Sequence, residues 1–182
     1  MKIGVVSDTH MPRFGRRLPA ELRRGLLEEG VSLILHLGDF TSADVPTLFE
    51  EIAPFDGVAG NNDGEQLHRR FGSRKVLRLE GASLGLVHGD GQGRSTRERA
   101  LAAFASEDVD AILFGHSHMP LCERLDALWL VNPGSPTDKR RNPSFSYALL
   151  EIDAGRVVPR LRYYQDRTPG TGRELAVGRG VS

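Results

Sequence analysis

Cysteine is almost missing from this chain. One residue in 182, Cys122, carries a thiol. No internal disulfide can form, and a zinc site built from several thiolates is excluded. A lone cysteine suits a reducing compartment. Long apolar runs are missing as well. The N-terminal stretch MKIGVVSDTH reaches Asp8 after a four-residue apolar run, too short for a signal-peptide core or a membrane span. Net charge is absent, since 24 basic side chains balance 24 acidic ones. That balance argues against a general nucleic-acid coat or an anionic membrane surface as partner, while leaving room for a local basic patch. There is no internal repeat and no low-complexity insert. What remains is an ordinary soluble composition, 39% hydrophobic and 26% charged, and a length that suits one domain. A cytoplasmic protein is expected.

The first sixty residues alternate between strand and helix patterns. KIGVVS at 2–7, VSLILHL at 31–37 and FDGVA at 55–59 read as short buried strands. PAELRRGLLEEG at 19–30 opens on proline and closes on glycine, as helices do, and 42–53 reads as a second helix with Ser42 as its cap. Strand–helix–strand–helix–strand predicts parallel strands with crossover helices. Further on, 75–80 and 83–88 form a hairpin pattern about Gly81, 95–106 reads as helix and 109–114 as strand. Short strand patterns follow at 120–125, 127–131, 145–152 and 156–164, with no helix between them. The expectation is an α/β domain over 1–164 with two sheets, followed by a flexible tail over 165–182, which holds four glycines and no apolar period.

Each strand pattern ends in polar residues of one kind. The first ends in Asp8-Thr9-His10, the second in Gly38-Asp39, the third in Gly60-Asn61-Asn62-Asp63. The later ones end in His88-Gly89-Asp90 and Gly115-His116-Ser117-His118. In open α/β sheets, ligands bind beyond the carboxyl ends of the strands. Residues i and i+2 of an extended segment face one way, so Asp8 with His10, and His116 with His118, are expected to aim together. Imidazole and carboxylate ligands suit zinc, iron, manganese, cobalt or nickel rather than calcium. The candidates Asp8, His10, Asp39, Asn61, His88, His116 and His118 are too many for one tetrahedral ion and suit two ions roughly 3.5–4 Å apart.

D-x-H, G-D, G-N-x-D, a lone H and G-H-x-H, in that order, resemble the motif set of the calcineurin-like metallophosphoesterases. The sequence carries them as DTH, GD, GNND, HGD and GHSH over residues 8–118, and NPGS at 132–135 resembles the small bacterial and archaeal phosphodiesterase branch. The resemblance implies a four-layer α/β/β/α sandwich with two mixed β-sheets flanked by helices. It implies two divalent ions, manganese first with nickel, iron, zinc or cobalt as alternatives. Asp8, His10 and His118 would hold one, Asn61, His88 and His116 the other, and Asp39 would bridge them. A hydroxide held between the ions would attack phosphorus in line with the leaving group. Metal-bound histidines donate their second ring N–H to a carboxylate or carbonyl, and Asp63, or less directly Asp90, is the expected partner.

One position departs from the family. Most members have histidine after the metal-binding asparagine, and the small branch often has cysteine; here stands Asn62. An amide can hydrogen-bond to a phosphate but cannot transfer a proton at neutral pH. Asn62 and Asp63 are nonetheless the candidate catalytic residues, and Arg13 and Asn62 the candidate substrate contacts. Plainer roles compete. Asp39 could cap a helix, and Asn61, Asn62, Asp63 and Asp90 are turn formers. Arg13, Arg16 and Arg17 could clamp a phosphate or lie in a solvated loop. Lys139, Arg140 and Arg141 could line the mouth of the site. His36 and His68 are read as structural, the latter in a loop; Arg69, Arg70 and Arg74 as a solvated face; Trp129 as core; and Cys122 as a small buried hydrophobe.

Three functions follow. The first is a metal-dependent phosphodiesterase or phosphomonoesterase acting on a small or nucleotide-like phosphate ester. The second is a weakly active or inactive metal-stabilised binding or scaffold module of the same fold, for which Asn62 leaves room. The third, a nuclease, sits poorly with neutral charge and 7% aromatics. A homo-oligomer formed through the antiparallel side is a further expectation.

Overall fold

The computed structural model describes residues 1–175. The chain begins β1 (Lys2–Val6), α1 (Ala20–Glu29), β2 (Leu33–His36), α2 (Val45–Glu50) and β3 (Phe55–Gly57). It continues α3 (Glu65–Phe71), β4 (Arg74–Leu79), β5 (Ala82–Val87), α4 (Thr96–Ala103) and β6 (Ala111–Phe114). It closes with β7 (Leu121–Leu125), β8 (Leu128–Asn132), β9 (Phe145–Asp153) and β10 (Arg156–Tyr164). Two five-stranded sheets form, in the orders β10-β9-β1-β2-β3 and β4-β5-β6-β8-β7. Both are mixed. Parallel pairs β1/β2, β2/β3, β5/β6 and β6/β8 stand beside antiparallel pairs β1/β9, β9/β10, β4/β5 and β7/β8.

The period-2 alternation of the strands builds the layers. Ile3, Val5, Leu35 and Leu37 of the first sheet meet Leu84, Leu86, Leu113 and Val131 of the second in a core between the sheets. The opposite face of the first sheet, with Val6, Ile34 and Leu149, is covered by Leu22, Leu26, Leu48, Phe49, Leu67 and Phe71 from α1, α2 and α3. Ile112, Phe114 and Leu130 on the outer face of the second sheet pack against Ala100 and Phe104 of the α4 region. The result is the expected α/β/β/α sandwich. Among the described residues no helix is long and apolar enough to cross a membrane.

Local signals set the helix ends. Gly30 takes the left-handed conformation (φ 63°) and its N–H closes the last turn of α1 onto the Leu26 and Leu27 carbonyls. Ser95 and Glu98 form a reciprocal capping box at the start of α4. Helix 42–53 is shorter than expected, and Ser42 does not cap it: its hydroxyl accepts from the Asp44 N–H in a turn before the helix. α3 was expected as loop. Its seven residues are mostly polar, but Leu67 and Phe71 at i and i+4 bury one stripe against Phe40 and Phe55. His68 therefore sits on a helix.

The stretch 165–175, expected as a loose tail, instead straps the entrance of α1. Ala20 N–H donates to the Thr168 carbonyl, Gly170 N–H to Leu18 and Leu175 N–H to Arg16, at 2.8 Å each. Leu175 is 5% exposed and joins the core under α1. Hydrogen bonds and one apolar anchor order a segment whose composition carries no periodic signal. The rest of that expected tail, 176–182, lies outside the described residues.

Candidate metal centre

β1, β2 and β3 run parallel in one sheet, β5 and β6 in the other, and their carboxyl ends meet at one rim. Backbone and side-chain bonds tie the ends across the two sheets. His88 Nδ1–H donates to the Leu37 carbonyl (2.7 Å), and His116 N–H donates to Asp8 Oδ2 (2.9 Å). The rim loops are not extended. Asp8, His10, Asp39, His116 and His118 all have left-handed backbones, with φ between 44° and 66°. Each such residue costs on the order of 1 kcal/mol, and strain of this kind collects at functional sites. Gly38 (φ 95°) makes room for the convergence, because a Cβ there would lie 2.7 Å from His88 Nδ1.

Two groups of donor atoms result. Asp8, His10 and His118 form one, and Asp39, His88 and His116 the other. In the first, His118 Nε2 lies 3.4 Å from Asp8 Oδ1 and 3.2 Å from His10 Nε2, and His10 Nε2 lies 4.0 Å from Asp8 Oδ1. Asp39 Oδ2 stands between the groups, 3.6 Å from His10 Nε2 and 3.4 Å from His88 Nε2. Asn61 Oδ1 lies 3.1 Å from His116 Nδ1 on the second group's side. The pairwise aim expected from an extended GHSH does not hold. His116 and His118 turn to different groups, whereas Asp8 and His10, whose backbones are left-handed too, share one.

These atoms suit cations better than they suit one another. Asp8 Oδ1 and His88 Nε2 are buried without a hydrogen-bond partner, and buried orphans of this kind are rare. The His118 Nδ1–H donates to the Asp138 carbonyl (2.7 Å), which leaves Nε2 as a bare lone pair aimed at His10. At tetrahedral angles, donors about 2.0–2.2 Å from a cation lie roughly 3.3–3.6 Å apart. The 3.4, 3.4 and 3.6 Å spacings about Asp8 and Asp39 match that figure.

Electrostatics in the metal-free protein point the same way. Burial pushes the Asp8 carboxyl up to about 7. Burial also lowers His10 and His116, and brings His118 down to about 4. His88 is fully buried, yet Asp39 and Asp8 raise it to about 9. Burial opposes the charge on Asp39, but His88 and the two donations from Asn62 hold its carboxyl well below the usual range. Protons thus stand in for positive charge that the carboxylates require.

The neighbouring residues hold this frame. Asp63 does not meet a histidine ring. Its Oδ2 accepts from Asp39 N–H and Gly60 N–H and its Oδ1 from Thr41 N–H, at 2.8 Å each, so both oxygens are spent on backbone. The second ring nitrogens of His88 and His118 go to carbonyls instead. Asn62 donates its amide to Asp39 Oδ2 (2.7 Å) and its N–H to Oδ1 (2.9 Å). In NPGS, Asn132 Nδ2 donates to the Gly115 carbonyl and Ser135 Oγ to the Asp8 carbonyl, 2.8 Å each, joining the DTH and GHSH loops. His36 is structural: it accepts from Gly38 N–H, bonds Thr9 Oγ1 and stacks on Phe40 at 3.8 Å.

A cleft of about 390 Å³ opens beside His10, lined by Arg13, Phe14, Thr41, Asn62, Asp138 and Arg140. Arg16 and Arg17 are not there, since Leu175 and Glu174 hold them. Lys139 turns away to the Pro143 carbonyl, and Arg141 lines a neighbouring depression with Met119. Asp90 is exposed. Arg69, Arg70 and Arg74 pair with surface glutamates. Trp129 is half-buried beneath Arg124. Cys122 is exposed, because β7 is an edge strand whose alternate positions face solvent. Sequence reasoning missed Phe14 and Asp138; their one signal was lying a few residues beyond DTH and NPGS.

A family model, the calcineurin-like phosphoesterase superfamily domain, matches residues 1–155. A probable metallophosphoesterase of Methanothermobacter thermautotrophicus is 34% identical over 157 residues, covering 84% of this chain and 87% of its own. A phosphodiesterase of Methanocaldococcus jannaschii is 30% identical over 146 residues, 74% of this chain and 83% of its own. Among solved structures, wild-type Vps29 of Entamoeba histolytica complexed with Zn²⁺ superposes with a TM-score of 0.71 at 23% identity, covering 90% of this chain and 99% of that one. At that identity the likeness bears on the fold.

Proposed function

The chain belongs to the calcineurin-like phosphoesterase superfamily, and from that premise we propose that it is a phosphodiesterase dependent on two divalent cations. The observation that carries the proposal is the meeting of two donor groups at Asp39. Asp8, His10 and His118 would hold one cation and Asn61, His88 and His116 the other, with Asp39 serving both. Manganese is our first choice, and nickel, iron, zinc or cobalt would suit the same donors. When bound, such a pair supplies a nucleophile at neutral pH and neutralises phosphoryl oxygens.

The chain's own residues do the rest. Asp63 fixes the backbone that carries Asp39, and the Leu37 and Asp138 carbonyls set the tautomers of His88 and His118. Asn62 keeps the Asp39 carboxylate oriented and can offer its amide to a phosphate oxygen. It has no proton to give a leaving group at neutral pH, so aryl and other activated esters are the favoured substrates. Arg13, on the cleft wall, is the proposed substrate contact. We place the protein in the cytoplasm, in keeping with its single cysteine.

The test is an assay of manganese-loaded protein on bis(p-nitrophenyl) phosphate with and without chelator. Chelator-sensitive turnover, lost by two orders of magnitude or more in Asp39→Ala and His88→Ala, supports the proposal. The amide at position 62 favours a second reading, a metal-stabilised binding module. Protein that holds two metals per chain and hydrolyses no ester would establish that reading instead.

A further inference from the structure

We propose that the cleft beside His10 selects phosphate esters in which one ester arm carries a second phosphate, held between Arg13 and Arg140. The proposal rests on the phosphoesterase reading above. The cleft, about 390 Å³, is much larger than a transferred phosphoryl group needs and suits an arm of nucleoside size.

What it offers such an arm is positive charge. Most of its polar donors are already used. Thr41 gives its N–H to Asp63 and its hydroxyl hydrogen to the Met11 carbonyl, and Asn62 spends one amide hydrogen on Asp39 and keeps the other for the reacting phosphate. The guanidiniums remain. Arg13 pairs with no carboxylate among the described residues and lies over the Phe14 ring at 5.1 Å. Arg140 has one weak partner, Asp138 Oδ2 at 3.9 Å, and that oxygen is nearer to His118 Nδ1, at 3.6 Å.

Recognition by stacking is disfavoured. The Phe14 ring already has Arg13 at 5.1 Å and Arg167 at 5.8 Å from its centroid, so a base would have to displace a cation. A planar guanidinium fork matches phosphate oxygens in pairs. The walls are also held in place. The strap 165–175 bonds the chain just after Arg13, and Arg167 donates to the Thr137 carbonyl just before Asp138 and Arg140. The backbone is thus ordered in advance, and the exposed Arg13 and Arg140 side chains are what remains to be fixed on binding.

A matched pair of substrates tests this. The p-nitrophenyl ester of thymidine 5′-phosphate is compared with the same ester carrying a 3′-phosphate, on manganese-loaded protein. In both, water adds to phosphorus, the bond to p-nitrophenolate breaks and a proton passes to solvent. The expected KM is roughly tenfold lower for the 3′-phosphorylated ester, the size of a hydrogen bond to a charged group. That ratio should shrink at higher ionic strength and approach one in Arg13→Gln and Arg140→Gln. Equal KM values in the wild type, or a ratio untouched by both substitutions, would overturn the proposal. Calorimetric binding of thymidine 3′,5′-bisphosphate against thymidine 5′-monophosphate gives a second readout that needs no turnover. If no ester is hydrolysed, the phosphoesterase reading fails, while tighter, arginine-dependent binding of the bisphosphate still upholds the cleft's selectivity. Equal binding of the two nucleotides sinks it.

Discussion

Asp8→Asn should stabilise the metal-free protein above neutral pH while weakening its hold on metal. Asp8 is fully buried, and its carboxyl titrates at about 7 rather than at its ordinary 3.8. An acid whose pKa is raised on folding binds its proton more tightly in the folded state. Its contribution is therefore fully present below pH 3.8 and is lost as pH rises through 7. Three pH units at about 1.4 kcal/mol each come to roughly 4 kcal/mol by pH 8. Asparagine has the same shape and no charge to desolvate. Its oxygen can still accept from His116 N–H, and its amide would face His118 Nε2, now 3.4 Å from Asp8 Oδ1 and a lone-pair acceptor. Urea unfolding in chelator, at pH 5 and pH 8, is the assay. The stability of the variant relative to wild type should rise by roughly 2–3 kcal/mol between the two conditions, since part of the loss already occurs below pH 5. Metal should then stabilise the wild type far more than the variant, because only the carboxylate gains from a cation. A difference between the two proteins that does not change with pH, or a variant less stable than wild type at pH 8 in chelator, would refute the reasoning. His88, raised to about 9 by Asp39 as well as by Asp8, also contributes stability that is lost as pH climbs, and the comparison between variant and wild type removes the part set by Asp39.

Other outcomes follow from the same contacts. Asn62→His should restore a group able to transfer a proton and raise kcat on esters with poor leaving groups by about 10²-fold, with little change on p-nitrophenyl esters; a leaving-group series measures it. Ser135→Ala removes the donor to the Asp8 carbonyl and the acceptor for the Asp138 N–H and should cost about 1–3 kcal/mol in urea unfolding, since the carbonyl keeps only a 3.5 Å contact with Thr137 Oγ1. Leu175→Ala should cost about 2 kcal/mol, the low end for a buried leucine, because a terminal strap can re-settle. It should raise KM through the loosened Arg13 wall while metal content, read by elemental analysis, stays at the wild-type level.

Much of this protein is legible in its amino acids. The β-branched runs and the Pro19 and Gly30 brackets locate β1, α1 and β2, because strand pairing and helix ends follow local rules. The donors stand out for a similar reason: DTH, GD, GNND, HGD and GHSH each follow an apolar run. α3 and the strap were not legible. Their order comes from few buried residues, Leu67 and Phe71 in the helix and Leu175 in the strap, and from backbone bonds to distant segments. Nor could spacing foresee that Asp63 clamps backbone rather than a histidine ring, since that depends on where three N–H groups converge.

The sequence by itself determined which chemical groups the chain owns and that each follows a strand, since residue type and local periodicity do not depend on distant contacts. How they divide, which the family resemblance implied and local spacing did not, is set by the tertiary structure. His116 and His118 are two residues apart and belong to different donor groups, while Asp8 and His10, equally spaced and equally left-handed, share one. Arg13 and Arg16 are three apart, yet one lines the cleft while the other is held by a carbonyl 159 residues away. Direction and partnership of this kind are set by long-range packing, which no local pattern encodes.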